Sequence, residues 1–271
     1  MEEVIIVIPI YKEEPLYEEL ASIKQCLNTL GKYPICFVCP NNLDIKRYKE
    51  NLGVQMILIT FDKVFFSSTK GYNKLLKSHF FYKVFRHYKY LLIYQPDAWV
   101  FRDDLIYWCN KGYDYIGAPW LSECSIKENG KPILTTVGNG GLSLRKIDKF
   151  LELTKKHKRL RDIKTIFTNE INKKGGVLRC ISLSLGWHNT ISCLYNSYKD
   201  INEDIYFCTI FSEFPNLRLY VPSAEESSFF SFEKSPSYLY ELTNHLLPFG
   251  CHGWTKYETE FWKGKITFTI I

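Results

Sequence analysis

Apolar residues along this chain come in two alternating rhythms, short solid runs and longer runs with helical spacing. Val4-Ile5-Ile6-Val7-Ile8 is a continuous β-branched run, the pattern of a strand buried on both faces of a parallel sheet, and Pro9-Ile10-Tyr11 ends it. From Glu13 the period lengthens. Leu16, Leu20, Ile23, Leu27 and Leu30 fall on one helical face, with Gly31 as the expected C-cap. Ile35 to Cys39 reads as a second buried strand closed by Pro40-Asn41-Asn42, residues 44–52 as a short helix and Met56 to Phe61 as a third strand. Ser67-Ser68-Thr69 caps a helix expected from Lys70 to His87, and Leu91 to Tyr94 forms the next buried strand. This alternation predicts an α/β fold with a mostly parallel central sheet flanked by helices, and ligands at the carboxyl ends of its strands.

Beyond Phe101 the pattern is less regular. A helix is expected near residues 103–110, then a short strand from Tyr113 that runs into a Pro119-Trp120 turn. Residues 121–136 are polar and read as an irregular, mobile loop, followed by Val137 to Arg145 as a glycine-bearing strand. A basic helical region at 146–175 precedes an apolar run near Val177 to Leu185. Ile205 to Phe211 reads as an apolar helix, Leu219 to Pro222 as a further strand before a helix cap at Ser223, and Phe229 to Phe232 as packed. The aromatic tail from Thr255 to Trp262 is expected to fold back on the domain. Neither a repeat nor a composition break divides the chain, so one domain, 1–271, is expected.

Composition narrows the class. Hydrophobic residues make up 46% and charged residues 24%, which excludes a disordered chain. No apolar run nears the ~18 residues of a membrane span, and Met1-Glu2-Glu3 lacks the basic start of a signal peptide. The nine cysteines are scattered, and several sit inside apolar runs, as reduced core thiols of a cytoplasmic protein do. Cys36 and Cys39 have metal-like spacing but lie inside a strand pattern, which argues against a metal site there. The net charge of +6 favours anionic partners. Part of it gathers in Lys155 to Arg161, either a solvated helix end or a peripheral contact with an anionic membrane surface. No nucleic-acid motif accompanies it.

Five places carry candidate chemistry. Asp97 follows Gln95-Pro96 at the end of a buried strand, as a metal ligand or substrate anchor or else as a simple turn residue. Tyr72 and Asn73 lie in the first turn of the helix after Ser68, where free amides favour a phosphate or carboxylate. Gly140-Gly141 marks a close backbone approach or a bulge. Glu203-Asp204 opens a helix, where acids also suit the dipole. His252, between Gly250-Cys251 and Gly253, is a ligand or a satisfied structural histidine. Neither G-x-G-x-x-G nor G-x-x-x-x-G-K-[ST] occurs, so a nucleotide would not be bound by those loops.

Taken together, Gln95 to Phe101, Asp114 to Trp120, Gly138 to Arg145, Glu203-Asp204 and Pro248 to Trp254 resemble the motifs of GT-A glycosyltransferases. They are most similar to a bacterial family of GT-A-like proteins with Q-x-D-x-x-V-F, G-N-G-G-x-S-L-R and P-F-G-C-H-G-W segments. The resemblance covers nearly the whole chain and implies sugar transfer from a nucleotide-diphosphate-sugar, a UDP-sugar first, to a hydroxyl of a glycan or lipid-linked acceptor. It implies a donor-binding half (1–101) and an acceptor-binding, catalytic half (102–271). Pro9, Tyr11, Asn41, Tyr72, Asn73, Gln95 and Asp97 would then contact the donor, and Gly140, Gly141, Trp120 and Trp254 the donor sugar or acceptor. The family's D-x-D motif binds a divalent cation, Mn2+ or Mg2+. Here Gln95 replaces the first acid, Asp97 keeps the second and His252 matches the late histidine of the ion's shell. Asp204, with Glu203 beside it, matches the base of inverting enzymes, which takes the acceptor's proton. A sugar-phosphate nucleotidyltransferase would carry a glycine- and arginine-rich loop where Pro9 to Glu14 stand. A non-catalytic nucleotide- or carbohydrate-binding module remains the other reading, favoured by Gln95.

Overall fold

The computed structural model describes residues 2–126, 132–155, 177 and 198–268. Its centre is a six-stranded sheet. The solid apolar runs become β1 (Glu2–Pro9), β2 (Ile35–Pro40), β3 (Ile57–Phe61) and β4 (Tyr88–Tyr94), as their pattern predicts. These four pair in parallel in the order β3-β2-β1-β4. β9 (Leu142–Lys146) then adds antiparallel to β4, and β6 (Tyr115–Ile116) antiparallel to β9. Strands from both sides of residue 101 thus share one sheet.

Both faces of the sheet are buried, which is why the runs are solid rather than alternating. Ile5, Val7, Val38, Leu91 and Ile93 face one side and pack with α3 (Thr69–Leu76), α4 (His79–Val84) and α6 (Ile147–Thr154). Ile6, Ile8, Phe37, Leu92 and Tyr94 face the other, against α1 (Tyr17–Leu30), α2 (Lys46–Leu52) and α5 (Leu105–Asn110). A second sheet of three short strands, β10 (Ser231–Phe232), β11 (Gly250–His252) and β5 (Ala98–Val100), is covered by a cluster that includes Trp99, Trp254 and Trp262. The six cysteines described as free, Cys26, Cys36, Cys39, Cys109, Cys208 and Cys251, are all buried. Among the described residues no helix is long and apolar enough to cross a membrane.

The structure differs from the pattern in four places. Within the stretch read as a loop, residues 121–126 and 132–136 are strands. β7 (Pro119–Ile126) and β8 (Pro132–Val137) pair antiparallel, and Leu121 and Leu134 anchor the hairpin on the core, so threonines and serines need not form a loop where a strand surface is half-exposed. The helix expected from Lys70 to His87 is two helices. α3 ends at Lys77, whose ammonium turns inward to the carbonyls of Tyr198, Lys199 and Ile201 at 3.3, 2.9 and 2.8 Å. α1 begins at Tyr17 rather than Glu13, because the Glu19 carboxylate reaches back to accept the Leu16 N–H at 2.8 Å and sets the first turn there. Leu219 to Pro222 joins no sheet. It is tied to Asp114 through Asp114 N–H to Tyr220 O at 2.7 Å and Tyr220 N–H to the Asp114 carboxylate at 2.9 Å, while Leu219 packs into the core. Most of the basic stretch Lys155 to Arg161, most of the 146–175 region and most of the apolar run from Val177 lie outside the described residues.

Candidate functional site

The chain winds outward from β1 through β2 to β3, then crosses back to place β4 on β1's other side. That reversal is a topological switch point, where an open α/β sheet splays its strand ends and forms a crevice. A cleft of about 780 Å3 lies there. Pro9, Tyr11 and Lys12 line it beyond β1, Gln95 to Asp97 beyond β4, Ser67 to Thr69 and Tyr72 from the start of α3, Leu16, Glu18 and Glu19 from the start of α1, and Thr255 and Lys256 close it. A volume of this size suits a small organic ligand.

Asp97 and His252, 155 positions apart in the numbering, meet because β11 pairs antiparallel with β5 in the register His252 to Ala98. His252 Nε2 lies 3.0 Å from Asp97 Oδ1 and 3.1 Å from Gln95 Oε1. Its Nδ1 lies 3.2 Å from Glu233 Oε2, as a close contact that is not aligned as a hydrogen bond. Lys256 Nζ donates to Asp97 Oδ2 at 2.5 Å. Burial raises the Asp97 carboxyl, but His252 and Lys256 outweigh it and hold it well below the usual carboxylate range. Burial likewise opposes the imidazolium, yet Asp97 and Glu233 push His252 up to about 10.

Between the ordinary histidine value and about 10, the folded chain keeps a proton on His252 that the unfolded chain releases. The stability from this ion cluster is therefore full below about pH 6.5 and is lost as pH rises towards 10. Melting midpoints across pH 6–10 are expected to fall more steeply for the wild type than for His252→Gln. Parallel curves would remove the assignment.

The two glycines face the chain's own side chains. A Cβ on Gly141 would stand 2.1 Å from His252 Nε2, and one on Gly140 would stand 2.1 Å from Glu203 Oε1. The backbone passes close to an imidazole and a carboxylate, where the sequence suggests the donor sugar or acceptor. Gly141→Ala is expected to push the imidazole off Asp97 and to cost about 1–3 kcal/mol, the usual penalty for overpacking. Chemical denaturation measures this. An unchanged midpoint would mean that the ring moves aside freely.

The two acids at 203 and 204 have different environments. Glu203 is buried, and its Oε1 accepts from Arg145 Nη2 at 2.8 Å. Arg145 on β9 is fully buried, donates to Tyr82 Oη and Ser143 Oγ at 3.1 Å each, and lies over the Tyr115 and Phe150 rings. Asp204 is only half-buried, and its Oδ1 accepts the Ile205 N–H at 2.8 Å. Burial raises its carboxyl, and the Glu233 carboxylate adds to the rise. The rise makes this carboxylate a stronger base than an ordinary exposed aspartate.

The structure brings Pro9, Tyr11, Tyr72, Gln95 and Asp97 to the cleft. It places Asn41 elsewhere, exposed at the end of β2 with its N–H on Phe61 O. Asn73 is buried and holds the acidic segment: its Oδ1 accepts the Glu203 N–H and its Nδ2 donates to Asn202, both at 3.0 Å. Trp120 donates from Nε1 to Asn139 and packs on Gly138. Trp254 is buried against Trp99 and Phe268. Lys12, Lys256, Glu233 and Arg145 receive no role from the sequence. The weak signals were Lys12 directly after the β1 exit and Lys256 four residues past His252.

A divalent ion of the kind the resemblance implies does not fit these donors as they stand. Gln95 offers an amide where a carboxylate is expected, Lys256 already touches Asp97 Oδ2, and both imidazole nitrogens of His252 face carboxylates. Among the described residues, no three His, Cys, Asp or Glu side chains are arranged to hold a metal.

A family model described as "Protein of unknown function (DUF5672)" matches residues 55–252. No curated protein matches the chain in sequence. Among solved structures, the chain is similar to an active-site mutant of LgtC, at a TM-score of 0.50 and 14% identity, covering 98% of this chain and 97% of that one. It is also similar to the galactosyltransferase LgtC in complex with donor and acceptor sugar analogs (TM-score 0.49, 14% identity, 98% and 97% covered) and to mouse xyloside xylosyltransferase 1 in its apo form (TM-score 0.49, 11% identity, 93% and 97% covered). The first likeness shows the fold, the mixed α/β architecture of GT-A glycosyltransferases in a single domain. At these identities it shows the fold alone.

Proposed function

We propose that this chain, which belongs to the DUF5672 family, transfers a sugar from a nucleotide-diphosphate-sugar to a hydroxyl acceptor. The observation that carries this reading is the cleft at the β1/β4 switch point, with Tyr11 on one wall and Asp97 on the other. On a GT-A fold that crevice is the place for a nucleotide. Tyr11, about half exposed at the mouth, offers a ring for a base to stack on, and Ser68 offers a hydroxyl for the ribose or phosphates.

In the transfer, the anomeric carbon loses its bond to the diphosphate as the acceptor oxygen attacks. Asp204 is the base that takes the acceptor's proton, so the reaction inverts the anomeric centre. Glu203 is not that base. It is spent on Arg145 and keeps the segment rigid beside Asp204. The acceptor is a glycan or lipid-linked hydroxyl and the first donor class to try is the UDP-sugars. A membrane contact through Lys155 to Arg161 stays an expectation of the sequence.

A panel of UDP-, GDP- and dTDP-sugars, monitored for release of the nucleoside diphosphate with and without hydroxyl acceptors, tests the reading. Turnover of at least one donor is the expected result. Gln95, standing where the fold family has an acid, favours the second reading, a nucleotide-binding module without turnover. Nucleotide binding with every donor left intact across a broad acceptor panel would select it.

A further inference from the structure

Asp97 lines the cleft beyond β4, and the chain's own cations already balance its charge. Lys256 Nζ touches one oxygen at 2.5 Å and His252 Nε2 the other at 3.0 Å. On another wall stands Lys12, one residue past Tyr11. Its ammonium donates to Glu19 Oε1 at 2.7 Å, while Glu19 Oε2 accepts the Leu16 N–H at 2.8 Å. Glu19 is therefore anchored by the Leu16 N–H at the first turn of α1, and its other oxygen holds Lys12 in place. Burial works against the charge on Lys12, but Glu19 and, at longer range, Asp97 favour it. Two ammonium groups, Lys12 held by Glu19 and Lys256 by Asp97, thus stand on the walls of a cleft that Glu18 also lines and whose donors do not fit a divalent ion.

We propose that Lys12 and Lys256 together grip the diphosphate of the nucleotide, so that its binding does not depend on a divalent ion. This rests on the glycosyltransferase reading, which supplies the diphosphate. A lysine acts on phosphate as a mobile point charge rather than a rigid fork. Lys256, with its side chain 62% exposed, has room to leave Asp97 Oδ2 for a phosphate oxygen, whereas Lys12 stays tethered to Glu19. During transfer the electron pair of the breaking carbon–oxygen bond passes to the diphosphate. The two ammonium groups neutralise the charge that grows there, the acceptor oxygen forms the new bond and its proton goes to Asp204.

Calorimetry on the full chain tests this with UDP, GDP, dTDP and the matching nucleosides, in EDTA and in Mn2+. The wild type is expected to bind a nucleoside diphosphate in EDTA within about threefold of its affinity in Mn2+. Lys12→Met and Lys256→Met should each weaken that binding about tenfold, the scale of one charge-assisted contact, and leave nucleoside binding unchanged. Lys12 is partly exposed, so Lys12→Met should leave the melting midpoint near the wild-type value, whereas Lys256→Met removes one partner of Asp97 and should lower it slightly, with unchanged nucleoside binding as the control for an intact cleft. Binding that disappears in EDTA and returns with Mn2+ would overturn the inference, as would a Lys12→Met chain that binds like the wild type, and either result would leave the transferase reading standing. A chain that binds no nucleoside diphosphate in either buffer would overturn both.

Discussion

Asp204→Asn is expected to lower sugar transfer by about 10²–10⁴-fold, the usual worth of a positioned general base, while nucleotide affinity stays at the wild-type value. Asparagine keeps the size of the side chain and can still accept the Ile205 N–H that Asp204 accepts at 2.8 Å. The backbone therefore has no reason to move, and the lost function is proton removal alone. The pH profile gives a second readout. A base works only when ionised, and burial with Glu233 nearby holds the Asp204 carboxyl above its ordinary value. The transfer rate should therefore climb with pH through a pKa above the ordinary aspartate value of about 3.9, and this acidic limb should vanish in the variant. A variant that transfers at the wild-type rate would assign the proton to another group.

Arg145→Met is expected to cost about 3–5 kcal/mol of stability, because removing one partner of a buried ion pair strands the other charge. Glu203 would be left behind with its Oε1 uncompensated and its Oε2 already without a partner. Tyr82 and Ser143 would lose their guanidinium contacts as well. Replacing both charges should be gentler. Arg145→Met combined with Glu203→Gln is expected to recover most of the loss, since no buried charge then remains. Urea denaturation of the wild type and the two variants measures this. A single variant as stable as the wild type would mean that water reaches the pair, which the complete burial of Arg145 contradicts.

The elements legible in the sequence were those whose local chemistry and tertiary setting agree. Val4 to Ile8 and Leu91 to Tyr94 read as doubly buried strands because both faces of the sheet are covered, and each residue in those runs is buried. Ser68 read as a cap because a serine before a helix has a free oxygen for its amides, and it accepts the Gly71 N–H at 3.1 Å. The meeting of Asp97 with His252 had only family resemblance behind it, since the β5–β11 register that creates it is set by strands three residues long. The β7–β8 hairpin was missed because Thr135 and Thr136 look like loop residues by polarity and like strand residues only beside a partner. Gly140 and Gly141 signalled a close approach, but a glycine cannot say what approaches it. Lys12 and Lys256 were hidden by commonness: a lysine's role depends on which wall it leans from.

Asn73 and Lys77 fasten the stretch from Tyr198 to Glu203 to α3 through five contacts between 2.8 and 3.3 Å. The neighbouring side chain of that helix, Tyr72, faces the cleft. The cleft wall at Tyr72 and the segment that carries Asp204 are therefore one mechanical piece. A ligand that displaces Tyr72 therefore bears on the mount of Asp204 as well, and under the proposed transfer filling the cleft and aligning that carboxylate would be one event.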